Sequence, residues 1–239
     1  MVLGAAAVHA QQSSSGVVIQ EPITIKVPLA PCAAGSIAHR ILSSTRQLGG
    51  IEFATDPCGV WSPRQPPAPP AQPRPDDVPL QGLTVREALD RLVAADPRYR
   101  WMESNGLIVM RPSEAWNDPH NVLHRTIDAL ELKDDTFYGA LAAIQSAIGP
   151  VRIGSDGFVP RTPESERRVS LRLGVTSVFD ALNAVVRAHG ALQWSVVYCH
   201  APTRYENASI GFSTFDGGGG GGHAVFLRDA DGKSYDPCR

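Results

Sequence analysis

The chain carries one stretch twice, and that repetition is the strongest limit on what it can fold into. The first copy is Leu83-Thr84-Val85-Arg86-Glu87-Ala88-Leu89-Asp90-Arg91-Leu92-Val93; the second is Thr176-Ser177-Val178-Phe179-Asp180-Ala181-Leu182-Asn183-Ala184-Val185-Val186. Each opens with a hydroxyl residue followed three places on by a carboxylate, Thr84/Glu87 and Ser177/Asp180. That pairing marks a helix start. Val85, Ala88, Leu89, Leu92 and Val93 then recur at helical spacing, as do Val178, Ala181, Leu182, Val185 and Val186, so each copy predicts one buried stripe. Each runs on to a tryptophan opening a strand-like segment, Trp101 and Trp194. Positions 84 and 177, 88 and 181, and 101 and 194 all differ by 93.

The residues before these stretches also correspond. Ile37 and Phe137, Ile41 and Leu141, Leu48 and Ile148, and Ile51 and Val151 each differ by 100. The fall from 100 to 93 places about seven extra residues between the second and third strands of the first copy. The proline-rich segment Pro63 to Pro75 falls there, so it reads as a loop inside a unit rather than a linker. Each unit then reads β-α-β-β-α-β-β. The expected fold is α+β: two tandem modules, each a small mixed sheet with two helices, plus a C-terminal β-hairpin. Module 1 covers 21–112 with its internal loop at 61–77. Module 2 covers 120–239 and includes the glycine run Gly217 to Gly222.

Local signals fill in the elements. Ile23 to Val27 alternates as a strand does. A stripe of Ile37, Ile41, Leu42, Thr45 and Leu48 predicts a helix from Ser36, stopped by Gly49-Gly50. Ser104-Asn105-Gly106 predicts a tight hairpin turn between Arg100–Met102 and Leu107–Met110. Pro112 to Pro119 reads as a second linker. Strands are expected over Ile127 to Leu132, Val151 to Ile153, Val169 to Leu173 and Trp194 to Tyr198, with Ala208 to Phe215 pairing the last. Helices are expected from Phe137 to Ile148 and from Val178 to His189-Gly190. Ala224 to Arg228 and Lys233 to Tyr235 form the closing hairpin.

Residues 1–20 read as a signal-peptide remnant and disordered leader, with Gln11 to Gly16 unstructured. Val8-His9-Ala10 fits a signal-peptidase site, so the chain is expected to be periplasmic or secreted. No apolar run approaches the roughly 18 residues a membrane-spanning helix needs. A net charge of −2 gives no basic footprint for nucleic acid. Of the four cysteines, Cys32 and Cys58 follow strands at one end of a sheet. Cys199 ends a strand and Cys238 ends the closing hairpin. The expected disulfides are Cys32–Cys58 and Cys199–Cys238, with free or crosswise-paired thiols as the alternative.

The run Val78-Pro79-Leu80-Gln81-Gly82-Leu83-Thr84-Val85-Arg86-Glu87-Ala88-Leu89-Asp90-Arg91-Leu92, after a strand ending Val27-Pro28-Leu29 and a short strand ending Asp56-Pro57, resembles the secretin and TonB short N-terminal domain. Arg100-Trp101-Met102 and Leu107-Ile108-Val109-Met110-Arg111 fit that domain's final hairpin. The resemblance covers about 90 residues of the first unit and extends more weakly to the second. It implies a periplasmic docking domain that binds protein partners and is not an enzyme. The usual channel or barrel sequence does not follow here.

No reactive constellation stands out. His120 and His124 have the spacing of a helical metal pair but lack a third ligand, so no metal is expected. Asp229-Ala230-Asp231-Gly232 opens like a calcium loop without its later ligands. The six glycines lack the Gly-Lys-Ser/Thr of a phosphate loop, and Ser209-Ile210-Gly211 is only part of a nucleophile elbow. The expectation is no cofactor and no catalytic residue. The expected function is non-enzymatic docking to an envelope protein: a secretin, a TonB-linked protein or a secretion component. The alternatives are a small exported hydrolase using Cys199-His200 or a histidine cluster, and a ligand-binding protein with a cleft between its modules.

Overall fold

The computed structural model describes residues 13–27, 29, 33–53, 77–148, 162–198, 208–215, 227–228 and 234–235. The fold is α+β. Its helices are α1 (Ala33–Ser44), α2 (Val85–Ala95), α3 (Phe137–Ile148) and α4 (Val178–His189). The two repeated stretches form α2 and α4, capped as their sequences require. Thr84 Oγ1 accepts from the Glu87 amide at 3.2 Å, and the Glu87 carboxylate accepts from the Thr84 amide at 2.7 Å. Ser177 Oγ accepts from the Asp180 amide at 3.0 Å, and Gly190 ends α4 at φ 75°. Val85, Ala88, Leu89 and Leu92 are buried on α2; Val178, Ala181, Leu182, Val185 and Val186 are buried on α4.

The strands are β1 (Thr24–Ile25), β2 (Gly49–Glu52), β3 (Val78–Pro79), β4 (Tyr99–Ser104), β5 (Leu107–Pro112), β6 (Thr126–Ile127), β7 (Leu130–Asp135), β8 (Val169–Leu173), β9 (Thr176–Ser177), β10 (Leu192–Tyr198), β11 (Ala208–Thr214), β12 (Leu227–Arg228) and β13 (Ser234–Tyr235). Four antiparallel pairs stand apart: β1–β3, β6–β9, β7–β8 and the expected closing hairpin β12–β13. The β4–β5 hairpin turns through Asn105 and Gly106, both with positive φ, as the Asn-Gly pair predicted.

The other five strands form one mixed sheet in the order β11-β10-β2-β5-β4, with β2 parallel to both β10 and β5. Strands from both halves of the chain meet in this sheet. It replaces the expected separate small sheet in each half. Ile51, Ile108 and Met110 face a core with α1 and α2. Leu107, Val109, Trp194, Val196, Ile210 and Phe212 face the other core, with α3 and α4. The sheet is thus covered on both faces, each by one pair of helices.

Three expectations are corrected. Helix α1 ends at Ser44, and Arg46 turns the chain at φ 54°. Gly49 and Gly50 therefore do not stop a helix but lie inside β2. A β-carbon at Gly49 would lie 1.8 Å from the Ile108 carbonyl oxygen, and one at Gly50 1.9 Å from the Trp194 indole. Glycine here answers close approach, not chain termination. The supposed linker Pro112 to Pro119 is packed: Glu114–Trp116 form a 3-10 turn, and Ala115 is buried. The described part of the supposed leader, residues 13–20, is ordered. Ser14–Gly16 form a 3-10 turn, Ile19 is fully buried, and the Ile19 amide donates to the Leu83 carbonyl at 2.8 Å. The segment is held because Ile19 fills the first core and its backbone bonds the loop before α2. The proline-rich segment, residues 151–153 and the glycine run lie outside the described residues. No helix among the described residues is long and apolar enough to cross a membrane.

Candidate functional site

The joint between the halves is built around a buried ion pair. Glu52 ends β2 and Arg111 lies on β5, and both are essentially inaccessible to solvent. Arg111 Nε donates to Glu52 Oε2 at 2.5 Å. The other carboxylate oxygen accepts from Asn121 Nδ2 at 2.5 Å and from the Tyr198 hydroxyl at 2.6 Å. Arg111 also donates to the Ala115 carbonyl at 2.9 Å and lies over the Trp116 ring, 4.9 Å from its centroid. Every polar atom of the carboxylate is thereby matched, as a buried charge requires. On the opposite face, Ser43 Oγ donates to Gln193 Oε1 at 3.2 Å, and His39 Nε2 and Ser213 Oγ lie 3.1 Å apart. The joint is closed by side chains from both halves.

Beyond the joint, β4 forms one end of the sheet and pairs only with β5 among the described strands. Its Trp101 donates from Nε1 to Asp90 on α2 at 2.9 Å, and the Arg86 guanidinium lies 5.3 Å from its ring centroid. Trp194 makes the same bond, to Asn183 on α4 at 2.8 Å. The two indoles therefore share one local geometry. Trp194 is fully buried, because β2 lies beside it, while Trp101 remains partly exposed. Glu103, also on β4, accepts from Ser13 Oγ at 2.8 Å and from the Ser14 amide at 2.9 Å. Burial opposes its ionisation, but these serine hydrogen bonds prevail and hold its carboxyl below the usual glutamate range. Met102 is 40% exposed on the same strand.

The histidine pair is not assembled as a metal site. His124 Nδ1 donates to the Asp118 carbonyl at 2.7 Å, and its Nε2 faces Arg111 Nη1 at 3.4 Å. His120 is exposed, and its backbone amide donates to Asp118 Oδ1 at 3.0 Å. No group of three or more metal-ligating residues gathers among the described residues. Ser209 to Gly211 lie within β11, in strand. Cys32, Cys58, Cys199, Cys238, His200 and Asp229 to Gly232 lie outside the described residues.

Sequence reasoning missed Glu52, Arg111, Asn121 and Tyr198, since each alone reads as an ordinary surface residue. It also missed His189, the last residue of α4. His189 is 3% exposed, and neither ring nitrogen has a hydrogen bond of good geometry. Burial, then the nearby Arg167, pull its pKa down to about 4; the adjacent Glu164 backbone offsets only part of this.

No protein-family model matches this chain, and neither the curated proteins nor the solved structures contain a match.

Proposed function

We propose that this chain is a non-enzymatic docking module of the bacterial cell envelope, exported to the periplasm or secreted. It engages a protein partner through the edge of its main sheet. The observation that carries this reading is the β2–β10 pair. In the β10–β11 pair, β10 already accepts a parallel strand from a distant part of the chain, while β4 of the β4–β5 hairpin pairs with no further described strand. The closed joint favours an outer surface over a cleft between the halves, because Glu52 and Arg111 at its centre are inaccessible to solvent. The resemblance to the secretin and TonB short N-terminal domain supplies the partner class: a secretin, a TonB-linked protein or a secretion component. With export we propose the pairing of Cys32 with Cys58 and of Cys199 with Cys238, all outside the described residues, which non-reducing peptide mapping reads directly.

The test is site-specific photo-crosslinking of the full chain in envelope preparations, with the reactive group placed in turn at Met102 and at Val175, which is 75% exposed. A discrete protein adduct from the envelope supports docking. Absence of adducts from both positions counts against it.

A further inference from the structure

We infer that the outer edge of β4 binds an extended segment of a partner polypeptide running parallel to β4, with a glycine crossing Trp101 and an apolar residue beside Met102. This deepens the docking reading and rests on it. The argument starts from the repeat. The offset of 93 that relates Trp101 to Trp194 also relates Tyr99 to Leu192, Met102 to Ser195 and Glu103 to Val196. In both hairpins the tryptophan indole is tied to the residue eleven places earlier, on the helix packed behind it.

The backbone follows the same rule. The two-residue turn makes Ser104 and Leu107 a pair that exchanges both hydrogen bonds. Alternation then directs the amides and carbonyls of Arg100 and Met102 toward β5, and those of Trp101 and Glu103 outward. On β10 the counterpart of Glu103 is Val196, whose carbonyl accepts at 2.8 Å from the amide of Phe53, the residue that follows β2. The outward groups of β4 therefore stand where those of β10 bond a parallel strand.

The precedent also specifies the occupant. Gly50 lies opposite Trp194, and a β-carbon there would sit 1.9 Å from the indole, so a strand crossing at this position must be glycine. Ile51 lies opposite Ser195. Its counterpart on β4 is opposite Met102, whose exposed side chain an apolar residue would cover. Glu103 does not block the edge with a free charge, because its carboxylate is engaged by Ser13 and Ser14.

The probe is a synthetic peptide with the sequence of residues 47–53, carrying E52Q so that no second carboxylate opposes Glu103. It is titrated into the isotope-labelled full chain while backbone amide resonances are followed. Saturable shifts are expected at Trp101, Met102 and Glu103. A peptide also carrying G50V, or a protein carrying Met102→Lys, binds at least about tenfold more weakly, since a charge at an exposed edge deters strand addition. Equal binding by the G50V peptide, no saturable shift on β4, or shifts confined to Trp194 and Val196 through displacement of β2 each overturn the inference. So does a concentration-dependent dimer abolished by Met102→Lys, which would assign the edge to a second copy. Crosslinks from Val175 but none from Met102 would leave docking standing and remove this edge.

Discussion

Trp194 and Gly50 occupy one register position on neighbouring parallel strands, and the indole fills the space where a side chain at residue 50 would begin. The pair lies where β2 of the first half and β10 of the second half run side by side. Gly50→Ala is therefore expected to destabilise the protein by about 1–3 kcal/mol, the range for overpacking a filled core. Gly16→Ala, where nothing lies within 4 Å, serves as the control. Urea unfolding of both variants decides the matter; equal midpoints would show that the halves can shift apart without cost.

The Glu52–Arg111 pair predicts strong non-additivity. Arg111→Met leaves a buried carboxylate without its cation and should cost about 3–5 kcal/mol. Removing both charges, as Glu52→Leu with Arg111→Met, should cost markedly less than the two single changes summed. A double-mutant cycle by chemical unfolding gives the coupling energy, and strict additivity would mean that the pair is not coupled.

The two tryptophan hydrogen bonds share a geometry but differ in setting, so their loss should differ in cost. Asn183→Leu strands the indole N–H of Trp194 inside the core and is expected to cost about 1–3 kcal/mol. Asp90→Leu acts at an exposed bond beside a partly exposed ring, and should stay within about 0.5 kcal/mol. Similar losses at both sites would contradict the burial difference.

His189 makes stability depend on acid. Its folded pKa, about 4, lies below the ordinary value of 6.5, so the neutral ring is the form the fold accepts. That contribution is fully present above pH 6.5 and is lost as pH falls toward 4. The difference amounts to roughly 3–3.5 kcal/mol at about 1.4 kcal/mol per pKa unit. Unfolding free energies measured from pH 7 to pH 4 should fall less steeply for His189→Phe than for the parent. Parallel curves would show that His189 is not the group responsible.

The helices were legible in the sequence because their signals are local. Thr84 with Glu87 and Ser177 with Asp180 announce caps within one turn, and the apolar spacing that follows is the packed face itself. Asn105-Gly106 announced its hairpin for the same reason. The shared sheet was not legible, since it depends on residues far apart. Gly49-Gly50 carries a helix-stop pattern and a close-packing pattern in the same two letters, and only Ile108 and Trp194 decide between them. Glu52 and Arg111 read as surface charges until Asn121 and Tyr198 are brought against them. Met102 and the edge of β4 became notable only once the β2–β10 pair supplied a comparison.

The placement of β2 between β5 and β10 also governs the order of folding. The Glu52–Tyr198 contact closes over 146 residues of chain. Long-range parallel pairing of this kind is slow, because loop closure precedes its reward. During synthesis the first half emerges with a glycine-bearing strand whose outer edge no other described strand of that half covers. It waits for β10, near the end of the sequence, before that edge is sealed. The two repeats are consequently not interchangeable cassettes: the earlier one is finished by the later one, and truncation after residue 112 would leave a sticky fragment rather than a smaller protein.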